Sequence, residues 1–485
     1  MDRAKYLELD KIFHPHNVAV IGASQFGDIA SLALLSTKIK DRVYFVNPKY
    51  SEIYGRKCYA SILDIPDPVD YAIFGINAKF VPDVLADCIK KGVRAAHIYT
   101  SGFSETGLPE AIELERKVKR IAEGKIRLIG PNCFGIYCPE SGLAIVPESL
   151  EQEGNVGVIT QSGSVAESFS YFGKTKNLKF SKVISYGNAI DLDCTDFLEY
   201  LADDPQTKVI ALYIEGSRDG ERLKRALKYA SAKKPIVAIK GGLTENGSRV
   251  ATSHTAAMTG TPELWKSLFK QCGVIQVNSY DEMVNAVMAF SYLNLPAGNR
   301  VSILSNSGGF SVIQTDLCHA EGIEVPKFTD GTIKQLRQLV PLAGTIIGNP
   351  LDAWPVYYKI YEKEGNLADI IGILGADKNI DMLVVQFDQF RYIRRMRQSE
   401  AGEHTRTLTE VMLTGMQHVR DVIGKPVIAC VVIDPFLEDD EDRECNLMMK
   451  NVFEQNNFPV YPSLDAGIKA VSKLFKYASM HVADK

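Results

Sequence analysis

His254 is the residue in this sequence whose surroundings are most typical of a reactive group. It is one of eight histidines, and it lies in a loop rich in Gly, Ser and Thr, GGLTENGSRVATSHTAAMTG, directly after a strand-like run. Loops in this place commonly carry the functional residues of α/β proteins. The imidazole can act as a base, a metal ligand or a nucleophile, or it can be a structural histidine. The loop has no HxH or HxxxH spacing, so we predict no metal site.

Glu215 ends a strand in the same α/β unit, within the run IALYIEGSRDG. Because the carboxyl ends of parallel strands lie at one edge of a sheet, we expect Glu215 and His254 to meet there. A carboxylate on one ring nitrogen would fix the imidazole tautomer and stabilise the imidazolium form, leaving the other nitrogen to attack phosphorus. A helix-capping or surface glutamate is the alternative interpretation.

Two short Ser-Gly turns are candidate anion sites. TQSG at residues 160–163 and SNSGG at residues 305–309 each follow an apolar strand and precede a predicted helix. Backbone N–H groups at such a turn point outward, and small side chains let a tetrahedral anion approach closely. Each turn taken singly is also consistent with a plain strand-to-helix connection.

A third turn, GASQFG, follows the first predicted strand and resembles a dinucleotide-binding turn. It lacks the complete GxGxxG pattern, and Asn47-Pro48-Lys49 replaces the acidic residue that would hold a nicotinamide-adenine ribose. A cation at Lys49 suits a phosphorylated ribose, as in coenzyme A with its 3′-phosphate. NADP and a plain surface lysine remain open.

Alternating strands and helices position these residues. Short β-branched runs such as VAVIGAS and YAIFGI alternate with helical stretches such as FVPDVLADCIKK, which predicts parallel sheets. We predict three α/β domains, at residues 1–130, 150–290 and 298–480.

The second and third predicted domains repeat one pattern. VGVITQSGSV at 156–165 matches VSILSNSGGF at 301–310, and KKPIVAI at 233–239 matches GKPVIAC at 424–430. The repeat predicts two similar domains with an anion site in each, although any two parallel α/β domains can share such turns.

Composition excludes several classes of protein. The 485 residues carry 55 Lys and Arg against 59 Asp and Glu, a net charge of −4, without a basic cluster of the kind that nucleic acids or anionic membranes require. The nine cysteines form no CxxC pair, which fits neither a disulfide framework nor a zinc site. The amino-terminal residues lack the apolar core of a secretion signal and no stretch is long enough to span a bilayer, so we expect a cytoplasmic protein with no membrane partner.

Eleven motifs in order resemble the α subunit of ADP-forming acyl-CoA synthetases, relatives of succinyl-CoA synthetase. The motifs are VAVIGAS, VNPK, GFSETG, GPNCFG, TQSGS, SYGN, YIEG, KKPIVAIKGG, SHTAAMTG, SNSGG and GNPLD. The resemblance covers most of the chain. It implies an N-terminal Rossmann-like CoA-binding domain followed by two flavodoxin-like CoA-ligase domains.

The same resemblance implies how the site works. His254 would carry the phosphoryl group and Glu215 would stabilise it, with acyl phosphate as the intermediate between acyl-CoA and the phosphohistidine. The implied phosphate-binding residues are Ser162, Gly163, Ser164, Asn188, Asn306, Ser307, Gly308 and Gly309. The implied CoA-binding residues are Gly22, Ser24, Asn47, Lys49, Asn77, Ser101, Glu105 and Asn132.

The nucleotide step requires a partner by this resemblance. No segment resembles the ATP-grasp domain that binds ADP or ATP with Mg²⁺, so we expect a separate ATP-grasp β subunit in an α2β2 assembly. The substrates would be phosphate and a small carboxylic acid or its CoA thioester. Two other functions stay open: a non-catalytic sensor of CoA or acyl-CoA on the same scaffold, and an NADP-dependent oxidoreductase built on the first domain.

Overall fold

The computed structural model describes residues 1–25, 29–144, 152–244, 246–247, 260–305, 307–359, 366–388, 401–432 and 440–482. The chain divides into two units, Met1–Met283 and Val284–Lys485. The first unit contains two sheets and the second unit contains one.

The first sheet has seven strands in the order β3-β4-β2-β1-β5-β6-β7. The strands are β1 (Val18–Ile21), β2 (Val43–Val46), β3 (Glu52–Ile53), β4 (Arg56–Tyr59), β5 (Tyr71–Phe74), β6 (Ala95–Ile98) and β7 (Arg127–Ile129). The helices are α1 (Arg3–Phe13), α2 (Ile29–Leu35), α3 (Val81–Lys91) and α4 (Pro109–Ala122). All neighbours are parallel except β3 and β4, and without β3 the order is that of a Rossmann fold with its switch point between β1 and β5. All four residues of β1 are buried, because layers cover both faces of the sheet.

The second sheet has six strands in the order β13-β12-β11-β9-β10-β8. They are β8 (Gly135–Tyr137), β9 (Glu153–Thr160), β10 (Phe180–Ser185), β11 (Val209–Ile214), β12 (Ile236–Lys240) and β13 (Ile275–Gln276). The helices are α5 (Gly163–Thr175), α6 (Cys194–Asp203), α7 (Gly220–Ser231), α8 (Pro262–Gln271) and α9 (Tyr280–Tyr292). Only β8 runs antiparallel to its neighbour in this sheet, and it comes from the stretch between the first and second predicted domains.

The third sheet is wholly parallel, in the order β15-β14-β16-β17-β18. Its strands are β14 (Val301–Ser305), β15 (Leu351–Asp352), β16 (Met382–Asp388), β17 (Val427–Val432) and β18 (Val460–Tyr461). The helices are α10 (Gly308–Ala320), α11 (Asp330–Leu339), α12 (Trp354–Lys359), α13 (Leu367–Ala376), α14 (Ala401–Gln417), α15 (Asp440–Gln455) and α16 (Leu464–Val482).

The repeat detected in the sequence is present in the topology. Apart from β8, the second sheet has the flavodoxin-like strand order, and the third sheet has the same order. In each sheet, the flavodoxin-like strand that comes earliest in the sequence is followed by a Ser-Gly turn and then a helix. These are β9 and α5 in the second sheet, and β14 and α10 in the third. The predicted fold class, a Rossmann-like domain followed by flavodoxin-like ones, is confirmed.

Two simpler expectations concern cysteines and membrane helices. All nine cysteines lie in described parts of the chain, where they are buried and form no disulfide. Across the helices that the structure describes, none combines the length and the apolar character needed to cross a bilayer.

Candidate active site

A cleft of about 840 Å³ lies within the first unit and connects two of the predicted binding turns. One part of its wall follows the carboxyl ends of β1, β5 and β6, and another part is the turn between β9 and α5. The predicted site residues that line it are Gly22, Ser24, Asn77, Ser101, Asn132, Ser162, Gly163, Ser164 and Asn188. Asn47, Lys49, Glu105 and Glu215 are not part of this lining.

Gly22 gives the first turn its tight approach between β1 and β5. Its φ is +87°, and a Cβ atom there would lie 2.5 Å from the carbonyl oxygen of Gly75. Its N–H donates to the Val46 carbonyl at 2.8 Å, while the Gly75 N–H donates to the Ile21 carbonyl at 2.8 Å. Only glycine fits this conformation and this spacing, so the turn keeps an open backbone face toward the cleft.

Asn47 ties the end of β2 to that turn. Its side-chain nitrogen donates to the Ala23 carbonyl at 2.9 Å, and its side-chain oxygen accepts from the Lys49 N–H at 3.0 Å. The Lys49 side chain is exposed beside this tie. Asn47 therefore sets the direction of the chain at Lys49, and its own amide is engaged by the protein.

The Ser162 turn begins α5 and is held by its own side chains. The Thr160 hydroxyl accepts from the Ser162 N–H at 3.1 Å and donates to the Ser162 carbonyl at 2.9 Å. The hydroxyls of Ser162 and Ser164 lie 3.0 Å apart. A Cβ atom on Gly163 would lie 2.3 Å from Cδ2 of Phe134, so the helix can start here only with glycine unless that ring moves. This 13-residue helix presents its N-terminal dipole and hydroxyl groups to the cleft.

Glu215 follows β11, next to the Ser162 turn, because β9 and β11 are parallel neighbours with Thr160 opposite Tyr213. The residue is 5% exposed, and its Oε1 accepts from the Tyr213 hydroxyl at 3.1 Å. Gly241 packs on this pair: a Cβ atom there would lie 2.7 Å from the Tyr213 hydroxyl oxygen. Burial, with the charge of Glu215 adding to it, raises the pKa of the Tyr213 phenol, which stays a hydrogen-bond donor.

A buried cation, Lys240, ends β12 on the same side. Its Nζ donates to the Gly241 carbonyl and lies 5.0 Å from the centre of the Trp265 ring. Burial lowers the pKa of its ammonium to about 8, and the nearby Glu215 carboxylate opposes that shift. Lys240 thus supplies positive charge at the start of the loop that carries His254.

Asn188 is held by two carboxylates. Its side-chain nitrogen donates to Glu105 at 2.6 Å and to Glu115 at 3.0 Å, and both carboxylates also accept from N–H groups of the 102–104 turn. Arg218 donates to the Asn188 carbonyl at 3.0 Å. The side-chain N–H groups of Asn188 are therefore used in hydrogen bonds within the protein. What Asn188 presents to the cleft is its surface and its side-chain oxygen.

In the equivalent turn of the second unit, Ser305 and Ser307 make the same pair of hydrogen bonds. The Ser305 hydroxyl accepts from the Ser307 N–H at 3.3 Å and donates to the Ser307 carbonyl at 3.3 Å, as Thr160 does for Ser162. Gly308 packs against Asp352, whose carboxylate oxygen would lie 3.1 Å from a Cβ atom there. Burial raises the pKa of Asp352. A Cβ atom on Gly309 would have nothing within 4 Å, so a group can approach that side of the residue.

Two predicted residues, His254 and Asn306, lie outside the described residues. The structure therefore does not test the expected meeting of His254 with Glu215. Within the ranges that the structure describes, no group of three or more His, Cys, Asp or Glu side chains could hold a metal ion.

The residues of the cleft wall that sequence reasoning missed include His97, Tyr99, Phe134 and Gln161. Tyr99 and Phe134 form a T-shaped pair with ring centroids 5.5 Å apart beside the start of α5. Gln161 and Phe134 lie inside motifs that the sequence had singled out, TQSG and GPNCFG, and a polar or aromatic residue directly at a turn was the available signal. His97 looked like one more residue of a buried strand.

Comparison with known domains agrees with this architecture. Residues 16–139 match the family model of a CoA binding domain, and residues 153–290 match that of a succinyl-CoA ligase like flavodoxin domain. The first range contains the Gly22 turn and the second contains the Ser162 turn and Glu215. The fold and these matches define a CoA-ligase type of α/β protein.

Whole-chain comparison gives the family. The chain is 35% identical over 463 residues to the acetate–CoA ligase (ADP-forming) II subunit alpha of Pyrococcus furiosus, covering 93% of this chain and 94% of that one. It is 32% identical to the subunit alpha of the type I enzyme of the same organism, covering 99% and 100%. The chain belongs to the family of ADP-forming acyl-CoA synthetases, which confirms the resemblance seen in the sequence.

Two further comparisons concern a longer relative and a solved structure. The acetate–CoA ligase (ADP-forming) of Methanocaldococcus jannaschii is 41% identical over 350 residues, covering 71% of this chain, which spans only 49% of that relative. The dinucleotide-forming acetyl-coenzyme A synthetase 1 of Ca. Korarchaeum cryptofilum, solved with phosphate and ADP, is 29% identical with a TM-score of 0.82, covering 98% of this chain and 97% of that one.

Proposed function

We propose that this chain is the α subunit of an ADP-forming acyl-CoA synthetase that interconverts acyl-CoA, ADP and phosphate with a carboxylic acid, ATP and CoA. The observation that carries the proposal is the single cleft lined by both the Gly22 turn and the Ser162 turn. A thioester that reaches from the first turn can present its acyl carbon to an anion held at the second. This proximity is what a two-substrate reaction requires.

The first step joins phosphate to the acyl group. A phosphate oxygen attacks the thioester carbonyl carbon, the carbon–sulfur bond breaks, and CoA leaves as a thiolate that takes up a proton. The N-terminus of α5 and the hydroxyls of Ser162 and Ser164 hold the phosphate, because the first residues of this helix and both serines line the cleft. Gly22, Ser24, Asn77, Ser101 and Asn132 contact the CoA, with Asn47 and Lys49 at its phosphorylated ribose and Glu105 bracing the 102–104 turn.

The later steps pass the phosphoryl group through His254. A ring nitrogen attacks phosphorus, the bond between phosphorus and the acyl oxygen breaks, and the carboxylic acid leaves as its carboxylate. The Glu215 carboxylate stabilises the imidazolium that forms, and the Tyr213 hydroxyl fixes the direction of the Glu215 carboxylate. A terminal oxygen of ADP then attacks the phosphohistidine to give ATP. Ser307, Gly308 and Gly309, with Asn306, are the proposed anion site for this second half of the cycle.

The nucleotide step uses an ATP-grasp β subunit that binds ADP with Mg²⁺, in an α2β2 assembly. Two lines support a partner: relatives of the same length are named as alpha subunits, and other relatives in the family are longer than this chain. The names of these relatives support acetate or another small carboxylic acid as substrate. The phosphate and ADP in the Ca. Korarchaeum cryptofilum structure support those two as the other substrates.

Labelling with radioactive acetyl phosphate tests the proposal. We expect an acid-labile, base-stable phosphoryl adduct on the wild-type chain that His254→Asn abolishes. His319→Asn replaces an exposed histidine of α10 and should label as wild type does. CoA binding by both variants should be unchanged, which shows that they fold. A wild-type chain that binds CoA but takes no label, even with an ATP-grasp partner present, would contradict the enzyme and favour the CoA sensor.

A further inference from the structure

Gln161 connects the Ser162 turn to Glu215. It lies between β9 and α5, its side chain is buried with 5% of the residue exposed, and it forms part of the cleft wall. Its backbone N–H donates to the Tyr213 carbonyl at 3.1 Å, which continues the pairing of β9 with β11 by one residue. The side chain therefore starts from a fixed backbone position between the two catalytic elements.

Three donors occupy the side-chain oxygen of Gln161. The N–H of Glu215 donates to Oε1 at 2.8 Å, the N–H of Gly216 donates at 3.3 Å, and the hydroxyl of Tyr186 donates at 3.4 Å. Because the backbone N–H groups of Glu215 and Gly216 can only donate, they settle which end of the amide is oxygen and which is nitrogen. The amide is thus locked in one orientation.

The other end of the amide has no protein partner. Among the residues that the structure describes, none accepts a hydrogen bond from Nε2, although the side chain is more than nine-tenths buried. Nε2 is not among the fully buried unpartnered atoms, so its two N–H groups open onto the cleft and must be satisfied there by water or by a ligand. Since Gln161 lines the cleft next to Ser162, the accepting group belongs to whatever occupies the cleft there.

The charge of the wall indicates what that group is. The described residues that line the cleft include no Lys, Arg, Asp or Glu, so an anion bound there is stabilised by neutral donors and by the dipole of α5. Hydrogen bonds from neutral amides to an oxyanion are stronger than those to a neutral oxygen. An amide that already points toward this position needs little reorganisation energy when the charged group binds.

We propose that the side-chain amide of Gln161 donates hydrogen bonds to an oxygen of the phosphoryl group held at the N-terminus of α5. The inference rests on the function proposed above. It makes Gln161 a ligand-binding residue whose oxygen is fixed by the Glu215 segment and whose nitrogen contacts the phosphoryl group. The same amide then connects the placement of the phosphoryl group with the backbone of Glu215.

Gln161→Glu separates this role from a structural one. The variant keeps an oxygen for the N–H groups of Glu215 and Gly216 and for the Tyr186 hydroxyl, but it replaces the NH₂ donors with a second carboxylate oxygen. We expect the acetyl phosphate concentration for half-maximal labelling of His254 to rise about tenfold or more, since a hydrogen bond to an anion is lost and a like charge is added. CoA affinity should stay close to wild type, which shows that the variant folds.

Lowering the pH supplies a second readout. A protonated glutamic acid donates one hydrogen bond, so the ratio of variant to wild-type half-saturation should fall as the pH is lowered. Tyr186→Phe is the matched control, because it removes only the 3.4 Å donor to Oε1 and should change half-saturation by less than about twofold.

Each outcome has a distinct meaning. If the wild-type chain labels and Gln161→Glu labels with the same concentration dependence, the inference is wrong while the proposed function stands. If the wild-type chain does not label at all, the proposed function itself is wrong. Should Gln161→Glu unfold, Gln161→Met offers the same length without donors, and a wild-type acetyl phosphate dependence in that variant would equally overturn the inference.

Discussion

The hydroxyl of Tyr213 donates a hydrogen bond to Oε1 of Glu215 across 3.1 Å. The two residues are two positions apart at the end of β11, so their side chains leave the strand on the same face. Gly241 packs against both side chains, and a larger residue there would clash with the Tyr213 hydroxyl. One carboxylate oxygen of Glu215 therefore has a fixed direction before any substrate binds, as pre-organised catalysis requires.

Tyr213→Phe should slow phosphorylation of His254 without weakening CoA binding. The variant keeps the ring that packs on Gly241 and removes the hydroxyl, so Glu215 loses a hydrogen bond to a charged group worth about 1.5–3 kcal/mol. We expect the rate of labelling by acetyl phosphate to fall by roughly tenfold or more. Tyr44→Phe is the matched control, because that hydroxyl donates to Asp67 at 2.8 Å in an exposed position on the first sheet. Equal labelling rates in both variants would contradict a role for Tyr213.

Lys49→Ala should distinguish CoA from dephospho-CoA. If the Lys49 ammonium contacts the 3′-phosphate, its loss weakens CoA binding by about 1 kcal/mol or more, roughly fivefold, and leaves dephospho-CoA binding unchanged. Titration calorimetry with both ligands measures the difference. Lys57→Ala, which replaces an exposed lysine of β4 whose ammonium lies over the Tyr59 ring, serves as the control. A Lys49→Ala variant with wild-type affinity for both ligands would remove Lys49 from the site.

The turns were predictable from sequence because their signals are local. Gly22 and Gly163 each lie within a few residues of a buried strand, and the conformational need for glycine at a strand-to-helix turn leaves a trace in composition. The repeat of the Ser-Gly turn gave the similarity of the second and third sheets, whose strand orders agree. Most of the fold could therefore be predicted from local sequence patterns and from the internal repeat.

The interactions that hold the site were not predictable in this way. Asn188 meets Glu105 and Glu115 across 83 and 73 residues of sequence, and its commitment to them leaves no spare amide N–H for phosphate. Gln161 stood inside a recognised motif, yet its importance depends on which donors reach its oxygen from β11 and β10. Long-range hydrogen bonds of this kind follow from the packed sheet order, which single-sequence patterns do not specify.

Gly163→Ala should destabilise the protein, whereas Gly309→Ala should not. A Cβ atom on Gly163 meets Phe134 at 2.3 Å, so the ring must move, and we expect a loss of about 1–3 kcal/mol in the free energy of unfolding. Gly309 lies in the first turn of α10 with nothing within 4 Å, and alanine there should be neutral or stabilising by up to about 1 kcal/mol. Denaturant unfolding monitored for each variant measures both changes. Equal effects would mean that Phe134 is not packed on the start of α5.

His97 should make the protein less stable in mild acid. The ring is buried in the cleft floor and its Nε2 donates to the Cys133 carbonyl at 3.0 Å, which fixes the neutral tautomer. Burial lowers the pKa of His97 to about 4, with the bond to Cys133 opposing the shift. In the unfolded chain His97 binds a proton near pH 6.5, whereas in the folded chain it binds one only near pH 4. The free energy of unfolding should therefore fall by about 3 kcal/mol between these values from His97 alone.

His97→Gln isolates that contribution, because glutamine keeps an N–H for the Cys133 carbonyl and does not titrate. We expect the free energy of unfolding of the variant to depend less steeply on pH than that of wild type between about pH 6.5 and pH 4, with the two slopes converging above that window. His319→Gln, at an exposed position with the same change of residue, should keep the wild-type slope. A His97→Gln slope as steep as wild type would mean that the ring accepts its proton in the folded state. In that case the floor of the cleft admits water and charge, and the neutral wall that surrounds the phosphoryl position would not extend to it.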